Sequence, residues 1–318
     1  LKGEKAHEEL QILCTANIPN EPGKIKYTQM LNKDGGIETD LTVICIEKNY
    51  FRIVSSAANR EHDKFHILKH ISKDVKLTDV TEEYCCLGLF GPKSRDMISS
   101  ISSDDFSNEN FKFATAKFVK INDVEVWAQR ISYVGELGFE LYVKKENALK
   151  LFDILIDKGK TYKISLCGMH AMDIMRMESG YLHWGHDISP EENQFEAGLN
   201  FAVSFKKNIN FIGRAALEKK RDKKDHKKFK MLILNHSKEG APLLLHDEPI
   251  YLKDKIVGHT TSGCYSFNYN KNLAFGYINS GLTSDQIDKQ AFEIEVEKEK
   301  YSASVITRPL NDKKLSSL

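Results

Sequence analysis

Two period-2 segments joined by a glycine-bracketed turn organise the middle of this chain. Between residues 124 and 133, Val124, Val126, Ala128, Arg130 and Ser132 share one face and Glu125, Trp127, Gln129, Ile131 and Tyr133 the other, which is strand periodicity. Val134-Gly135-Glu136-Leu137-Gly138 interrupts the alternation. Phe139, Leu141 and Val143 then resume it against Glu140, Tyr142 and Lys144. The pattern predicts a hairpin in which Glu140 projects away from the apolar face while its neighbours hold the strand in the core. The glycines allow positive φ and close approach of backbone to a ligand. Taken alone, a strand carboxylate of this kind is ordinarily solvated.

The flanks read as follows. A helix over 6–14 is followed by strands over 27–31 and 37–46, with a turn at 32–36. In the second strand Ile37, Thr39, Leu41, Val43 and Cys45 share a face, and Asp40 and Thr42 point the other way. Aspartate is disfavoured in mid-strand, so solvent or a ligand must compensate. A strand at 51–55, a helix at 59–71, strands at 75–80 and 85–90, and a helix at 93–101 next to Pro92 complete an alternation that predicts a ferredoxin-like subdomain over about 50–143. A helix over 147–158 carries an apolar stripe of Leu149, Leu151, Phe152, Ile154 and Leu155. A helix over 168–179, closed by Gly180, sets Asp173 and Arg176 three residues apart, the spacing of a weak surface ion pair.

The 181–187 segment gathers His183, Trp184, His186 and Asp187. Without an HExxH context or nearby cysteine ligands it is assigned no metal. A helix over 215–228 runs into the charged stretch 219–228, which is expected to mark the main boundary, dividing the chain into 1–220 and 221–318. Beyond it, strand patterns at 229–234, 249–252, 256–261, 273–278, 291–296 and 301–305 predict a small barrel or sandwich, with 260–266 as a tight loop.

At 318 residues the chain has room for two or three domains. Its 46 basic residues against 45 acidic ones argue for small-molecule or protein partners rather than nucleic acid or a membrane surface. Apolar runs fall far short of a membrane span. The six cysteines form no CxxC pair or regular framework, which fits a reducing compartment. No GxGxxG or GxxxxGK[ST] occurs, so a nucleotide domain is not expected in this piece. Starting at Leu1, the chain is expected to belong to a longer protein.

Arg130-Ile-Ser-Tyr-Val-Gly-Glu-Leu-Gly-Phe-Glu140, Arg176-Met-Glu-Ser-Gly180, Trp184-Gly-His-Asp187, Phe195-Glu-Ala-Gly-Leu199, Phe211-Ile-Gly-Arg-Ala-Ala-Leu217 and Thr260-Thr-Ser-Gly-Cys-Tyr-Ser266 together resemble the tetrahydrofolate-binding family of the glycine-cleavage aminomethyltransferase. Within it the chain is most similar to the folate domains of dimethylglycine and sarcosine dehydrogenases. The pyruvate dehydrogenase phosphatase regulatory subunit shares the motifs. The resemblance implies a three-lobed α+β fold around a folate channel, with a C-terminal β-barrel. It also implies capture of an N-methylene iminium on tetrahydrofolate as 5,10-methylenetetrahydrofolate. FAD is expected only in a preceding domain, and the partners are folate and a methylated amine or its iminium. The setting is the cytoplasm of a bacterium or the matrix of a mitochondrion.

Carried over by position, Asp40 matches the catalytic acid, Tyr133 and Glu140 match folate contacts, and Arg176 matches the arginine on the folate tail. Trp184 joins the candidates as a face for the pterin or benzoyl ring, and Glu136 as the turn carboxylate. Ser179 and Gln194 stand where relatives often have Lys and Pro. The alternatives are a stand-alone aminomethyltransferase and a non-catalytic regulatory subunit.

Overall fold

The computed structural model describes residues 1–221, 226–236 and 238–318. The predicted boundary stretch 219–228 therefore lies partly outside the described residues. Helix α1 (Ala6–Leu13) precedes strands β1 (Ile25–Leu31), β2 (Ile37–Glu47) and β3 (Tyr50–Ser55), an antiparallel sheet in that order. Its apolar face, with Met30, Leu41, Val43, Cys45 and Phe51, packs on Leu10 and Leu13 of α1 and Ile67 of α2 (Arg60–His70). Register defines the opposite face: Gln29 pairs with Asp40, Tyr27 with Thr42 and Thr42 in turn with Val54, and Ile25 with Ile44 and Ile44 in turn with Arg52.

Strand β4 (Tyr84–Phe90), helix α3 (Ser94–Ser99) and strands β5 (Ala116–Ile121), β6 (Val124–Gln129) and β7 (Gly138–Lys144) form a second antiparallel sheet, ordered β4-β7-β6-β5. The predicted hairpin is β6–β7, with residues 130–137 as its connection. Phe139, Leu141 and Val143 are buried with Val126 and Ala128 against α3 and α4 (Ala148–Gly159). Trp127, Gln129, Glu140 and Tyr142 fall on the other face, where Trp127 pairs with Tyr142 and Gln129 with Glu140.

Three details differ from the sequence reading. The stretch 50–143 is divided between sheets, because β3 turns back on β2 through Lys48 and Asn49, the latter at φ 59°. A tight hairpin makes that pairing local and leaves β4–β7 to form their own sheet. Residues 75–80 form no strand; only Lys76 bridges, to Lys2. Leu149 is 71% exposed, since α4 buries Leu151 and Leu155 instead.

Helices α5 (Met169–Glu178) and α6 (Arg214–Arg221) lead into β8 (Lys228–Leu234), β9 (Pro249–Leu252), β10 (Lys255–Ser266), β11 (Lys271–Ile278), α7 (Ser284–Ile287), β12 (Ala291–Val296) and β13 (Glu299–Ile306). The six strands close into a barrel, β10-β11-β8-β13-β12-β9, which removes open sheet edges. The predicted loop 260–266 is instead the end of β10, with a register shift between Thr260 and Ser262. Its hydroxyls suit a buried strand because they find buried acceptors: Thr261 and Ser262 donate to Asp187, and Ser266 donates to Glu178.

Candidate active site

The polar faces of the two sheets look at each other. Backbone bonds clamp them at one end, from Ile25 N to Ala114 O (3.0 Å) and from Ala116 N to Gly23 O (2.7 Å). Gly23 sits at φ 80°, and a Cβ there would stand 2.8 Å from the Ala116 carbonyl oxygen, so this approach needs glycine. Ile25, Ile44 and Val54 from the first sheet meet Ala116, Trp127 and Tyr142 from the second. Arg52 crosses the gap, its guanidinium carbon 4.6 Å from the Tyr84 ring centre, 5.8 Å from Trp127 and 5.9 Å from Tyr142.

Asp40 stands on the first wall and keeps part of its surface open. Gln29 donates from Nε2 to its Oδ1 at 2.8 Å. Burial pushes its carboxyl up to about 6; hydrogen bonds from Tyr27 and Gln29 oppose the rise and the nearby charge of Asp63 adds to it. Such a group exchanges protons near neutral pH, which suits a general base. Two residues before it, Glu38 meets His62 Nε2 at 3.0 Å, and His62 Nδ1 lies 3.1 Å from Asp63 Oδ1. Trp184 approaches this group, its ring centre 6.1 Å from that of His62 and its buried Nε1 without a partner.

Tyr133 donates to the Leu182 carbonyl oxygen (2.9 Å) and stacks on Tyr181. Burial holds its phenol well above the usual range, with Arg176 opposing and the charges of Asp187, Asp173 and Asp40 adding. On the second wall Glu140 accepts from the Tyr142 hydroxyl at 2.8 Å, and burial raises its carboxyl despite that bond.

Asp40 and Glu140 lie on the polar sides of the two sheets, Tyr133 reaches the 181–187 segment and Trp184 stands beside His62, whereas Glu136 and Arg176 are engaged elsewhere. Glu136 pairs with Lys313 near the C-terminus. Arg176, 1% exposed, gives Nε to Asp173 (2.7 Å), Nη1 to Asp187 (2.5 Å) and Tyr181 O (3.1 Å), and Nη2 to Ser262 (2.9 Å). Rather than the weak surface pair expected of Asp173 and Arg176, this is a buried strut between α5 and the barrel. Four of its five N–H groups are taken, so a ligand carboxylate gripping it with both oxygens would have to displace one of these acceptors.

Sequence reasoning passed over Arg52, Gln29, Trp127 and Gln129. Their signal is alternation, which puts Trp127 and Gln129 on the face of Tyr133; nothing local announces that a second sheet covers them. A surface cavity of about 430 Å³ bordered by Lys33, Asn210, Gly213, Arg214 and Glu218 shares none of the cleft residues.

The GCVT N-terminal domain model matches residues 1–207, and the glycine cleavage T-protein C-terminal barrel domain model matches 227–312. The chain belongs to the glycine cleavage T-protein family. A bacterial relative named 4-methylaminobutanoate oxidase (formaldehyde-forming), from Paenarthrobacter nicotinovorans, is 33% identical over 98% of this chain and 37% of its own length. Human mitochondrial dimethylglycine dehydrogenase is 33% identical over 98% of this chain and 35% of its own. An aminomethyltransferase from Listeria welshimeri serovar 6b is 31% identical over 97% of this chain and 82% of its own. The chain thus spans about a third of the first two relatives. Aminomethyltransferase T of the glycine cleavage system from Bartonella henselae superposes with a TM-score of 0.83 at 21% identity, over 98% of this chain and 82% of that one. That likeness establishes the aminomethyltransferase fold. No helix among the described residues is long and apolar enough to cross a membrane.

Proposed function

We propose that this glycine cleavage T-family chain is a tetrahydrofolate-dependent one-carbon transfer domain of the kind joined to a flavin domain in dimethylglycine and sarcosine dehydrogenases. The observation that carries the reading is that Asp40 and Glu140 stand on the polar sides of two different sheets, beside buried polar atoms without partners. Native interiors pair such atoms, so their number here marks a space built for a polar, planar ligand.

Tetrahydrofolate supplies the nitrogen nucleophiles that accept the one-carbon unit. In the proposed roles, Glu140 accepts the pterin's parallel N–H donors, Tyr133 and Trp184 offer aromatic faces, and Asp40 accepts a proton while steadying the cationic donor. Arg176 is left as a support for the loop that carries Trp184. The amine substrate, the FAD-bearing preceding domain and the division near residue 220 belong to this proposal.

The stand-alone aminomethyltransferase reading is favoured by one observation, the 82% coverage of the Listeria relative. Calorimetric titration of the purified chain with tetrahydrofolate tests both readings: binding heat and a raised melting temperature are expected. A folded sample showing neither would overturn them. Formaldehyde-equivalent transfer from an iminium donor, as against aminomethyl transfer from a lipoyl-type carrier, separates the two.

A further inference from the structure

The connection between β6 and β7 carries Tyr133 and is fixed at its two ends. Arg130 O accepts from Ala114 N and Arg130 N donates to Thr115 O, while Leu137 O accepts from Gly91 N (2.8 Å) and Ser94 Oγ (3.1 Å). Between these ends, among the described residues, one hydrogen bond reaches the backbone of 131–136 from another element: Asn311 Nδ2 donates to Gly135 O at 3.1 Å. Asn311 is 9% exposed, its Nδ2 also donates to Ser179 Oγ (3.2 Å), and its backbone N–H donates to Glu178 O (2.7 Å). Turning its amide over would set an oxygen against the Gly135 carbonyl, so the donor's place is fixed. Gly135, at φ 70°, is pinched by both partners: a Cβ there would stand 1.9 Å from Ser179 Oγ and 2.6 Å from Asn311 Nδ2.

Residues 309–318 run past the connection in the opposite direction. Leu310 packs beside Met177 and Phe275, Asn311 meets Gly135, Lys313 pairs with Glu136, and the backbone oxygen of Leu318 accepts from Arg130 Nη2 (2.7 Å) and Arg95 Nη2 (2.8 Å). The Lys313–Glu136 pair is open to solvent on its lysine side and adds little. Asn311 provides the firmer hold, because removing its amide leaves the carbonyl of a buried residue unpaired. Resting on the folate reading above, we propose that residues 309–318 form a strap that sets where Tyr133 stands, with Asn311 as the positioning residue acting through Gly135. Tyr133 lies two residues from that carbonyl and has its hydroxyl on Leu182 O. The 181–187 segment thus holds the tip of the ring and the strap holds its backbone. Without Asn311 the connection keeps its ends and loses its middle, so a ligand that meets Tyr133 must bear the cost of ordering it.

The test uses the full chain, with hydrogen exchange of the free protein and calorimetry with tetrahydrofolate. Asn311→Leu is expected to speed exchange across 131–137 while the barrel strands keep their wild-type rates. It is expected to raise the Kd for tetrahydrofolate about tenfold, as loss of one hydrogen bond does. In a Tyr133→Ala background the same change should raise the Kd less than about twofold, since a ring already removed cannot be misplaced. Asn311→Ser, too short to reach Gly135 O, should reproduce the pattern and serves if the leucine variant does not fold. Wild-type exchange over 131–137 in the folded variant overturns the inference. So does faster exchange there with an unchanged Kd, and the folate reading then stands. Equal losses with and without the Tyr133 ring would make Asn311 a general structural residue and also overturn it. A wild type that binds no tetrahydrofolate overturns the folate reading itself, and this inference with it.

Discussion

Gln29 and Asp40 face each other across the β1–β2 pair, and the amide nitrogen of the first holds the carboxylate of the second at 2.8 Å while the amide oxygen stays buried and unpaired. The glutamine fixes the carboxylate without neutralising it. Enclosure between two sheets leaves the ionised form of Asp40 less favourable than in water, which is why its carboxyl titrates near 6.

That penalty has a sign. The folded protein holds the Asp40 proton more tightly than the unfolded chain, so this group makes stability fall as pH rises from about 4 through 6, and the cost is complete above 6. Asp40→Asn removes it. The variant is expected to be more stable than wild type at pH 7.5 by an amount on the order of 2 kcal/mol, the difference vanishing toward pH 4. Denaturant midpoints of the two proteins across that range check this, and a pH-independent difference would contradict it.

The same substitution separates binding from chemistry. Asn is close to isosteric and still accepts from Gln29, so tetrahydrofolate affinity should stay within a few-fold. Formation of methylenetetrahydrofolate from a supplied iminium donor should slow by roughly 100-fold or more. Turnover at the wild-type rate would leave the cleft without an identified proton acceptor and favour the non-catalytic alternative.

Much of this site was legible because strand side chains alternate. Period two alone turned Asp40 and Glu140 away from their own cores, and the register of β2 and β7 bears that out. The three-residue spacing of Asp173 and Arg176 suggests only a surface ion pair, and the resemblance only a folate contact. The contacts that enclose Arg176 come from Asp187 and from Ser262, 86 residues on. Arg52 escaped for a related reason: a lone arginine on a strand is ordinary until a second sheet closes over it. The 260–266 stretch, rich in small polar residues, resembles a loop wherever the acceptors for its hydroxyls are unknown, and those acceptors, Asp187 and Glu178, lie on other elements.

Arg176 and Asp187 are expected to act as one unit. Both are 1% exposed, and Asp187 also accepts from Thr261, Ser262 and the His183 backbone. Arg176→Met strands a buried carboxylate and should cost about 3–5 kcal/mol. Adding Asp187→Asn should restore part of it, the double variant losing less than the sum of the singles. Urea midpoints measure this. A variant of unchanged stability with 100-fold weaker folate binding would return Arg176 to the folate tail.

Glu140 and Glu136 provide the sharpest comparison, since they lie four residues apart on one hairpin and differ in setting. Glu136 is paired with Lys313 outside the cleft, and loss of such a pair is worth at most about 1 kcal/mol of stability. Glu140 stands half-buried on β7 with one oxygen on Tyr142, leaving the other to accept from a ligand. Glu140→Gln should weaken tetrahydrofolate binding by about 1.5–3 kcal/mol, the loss of a charge-assisted contact, whereas Glu136→Gln should leave it within twofold. Because burial raises the Glu140 carboxyl, its ionised form costs stability above its folded-state pKa. Free Glu140→Gln should therefore be no less stable than wild type at pH 7.5. Parallel titrations and melting curves decide the matter: equal affinities for the two variants would move the pterin away from β7, and lower stability with unchanged affinity would make Glu140 a structural carboxylate.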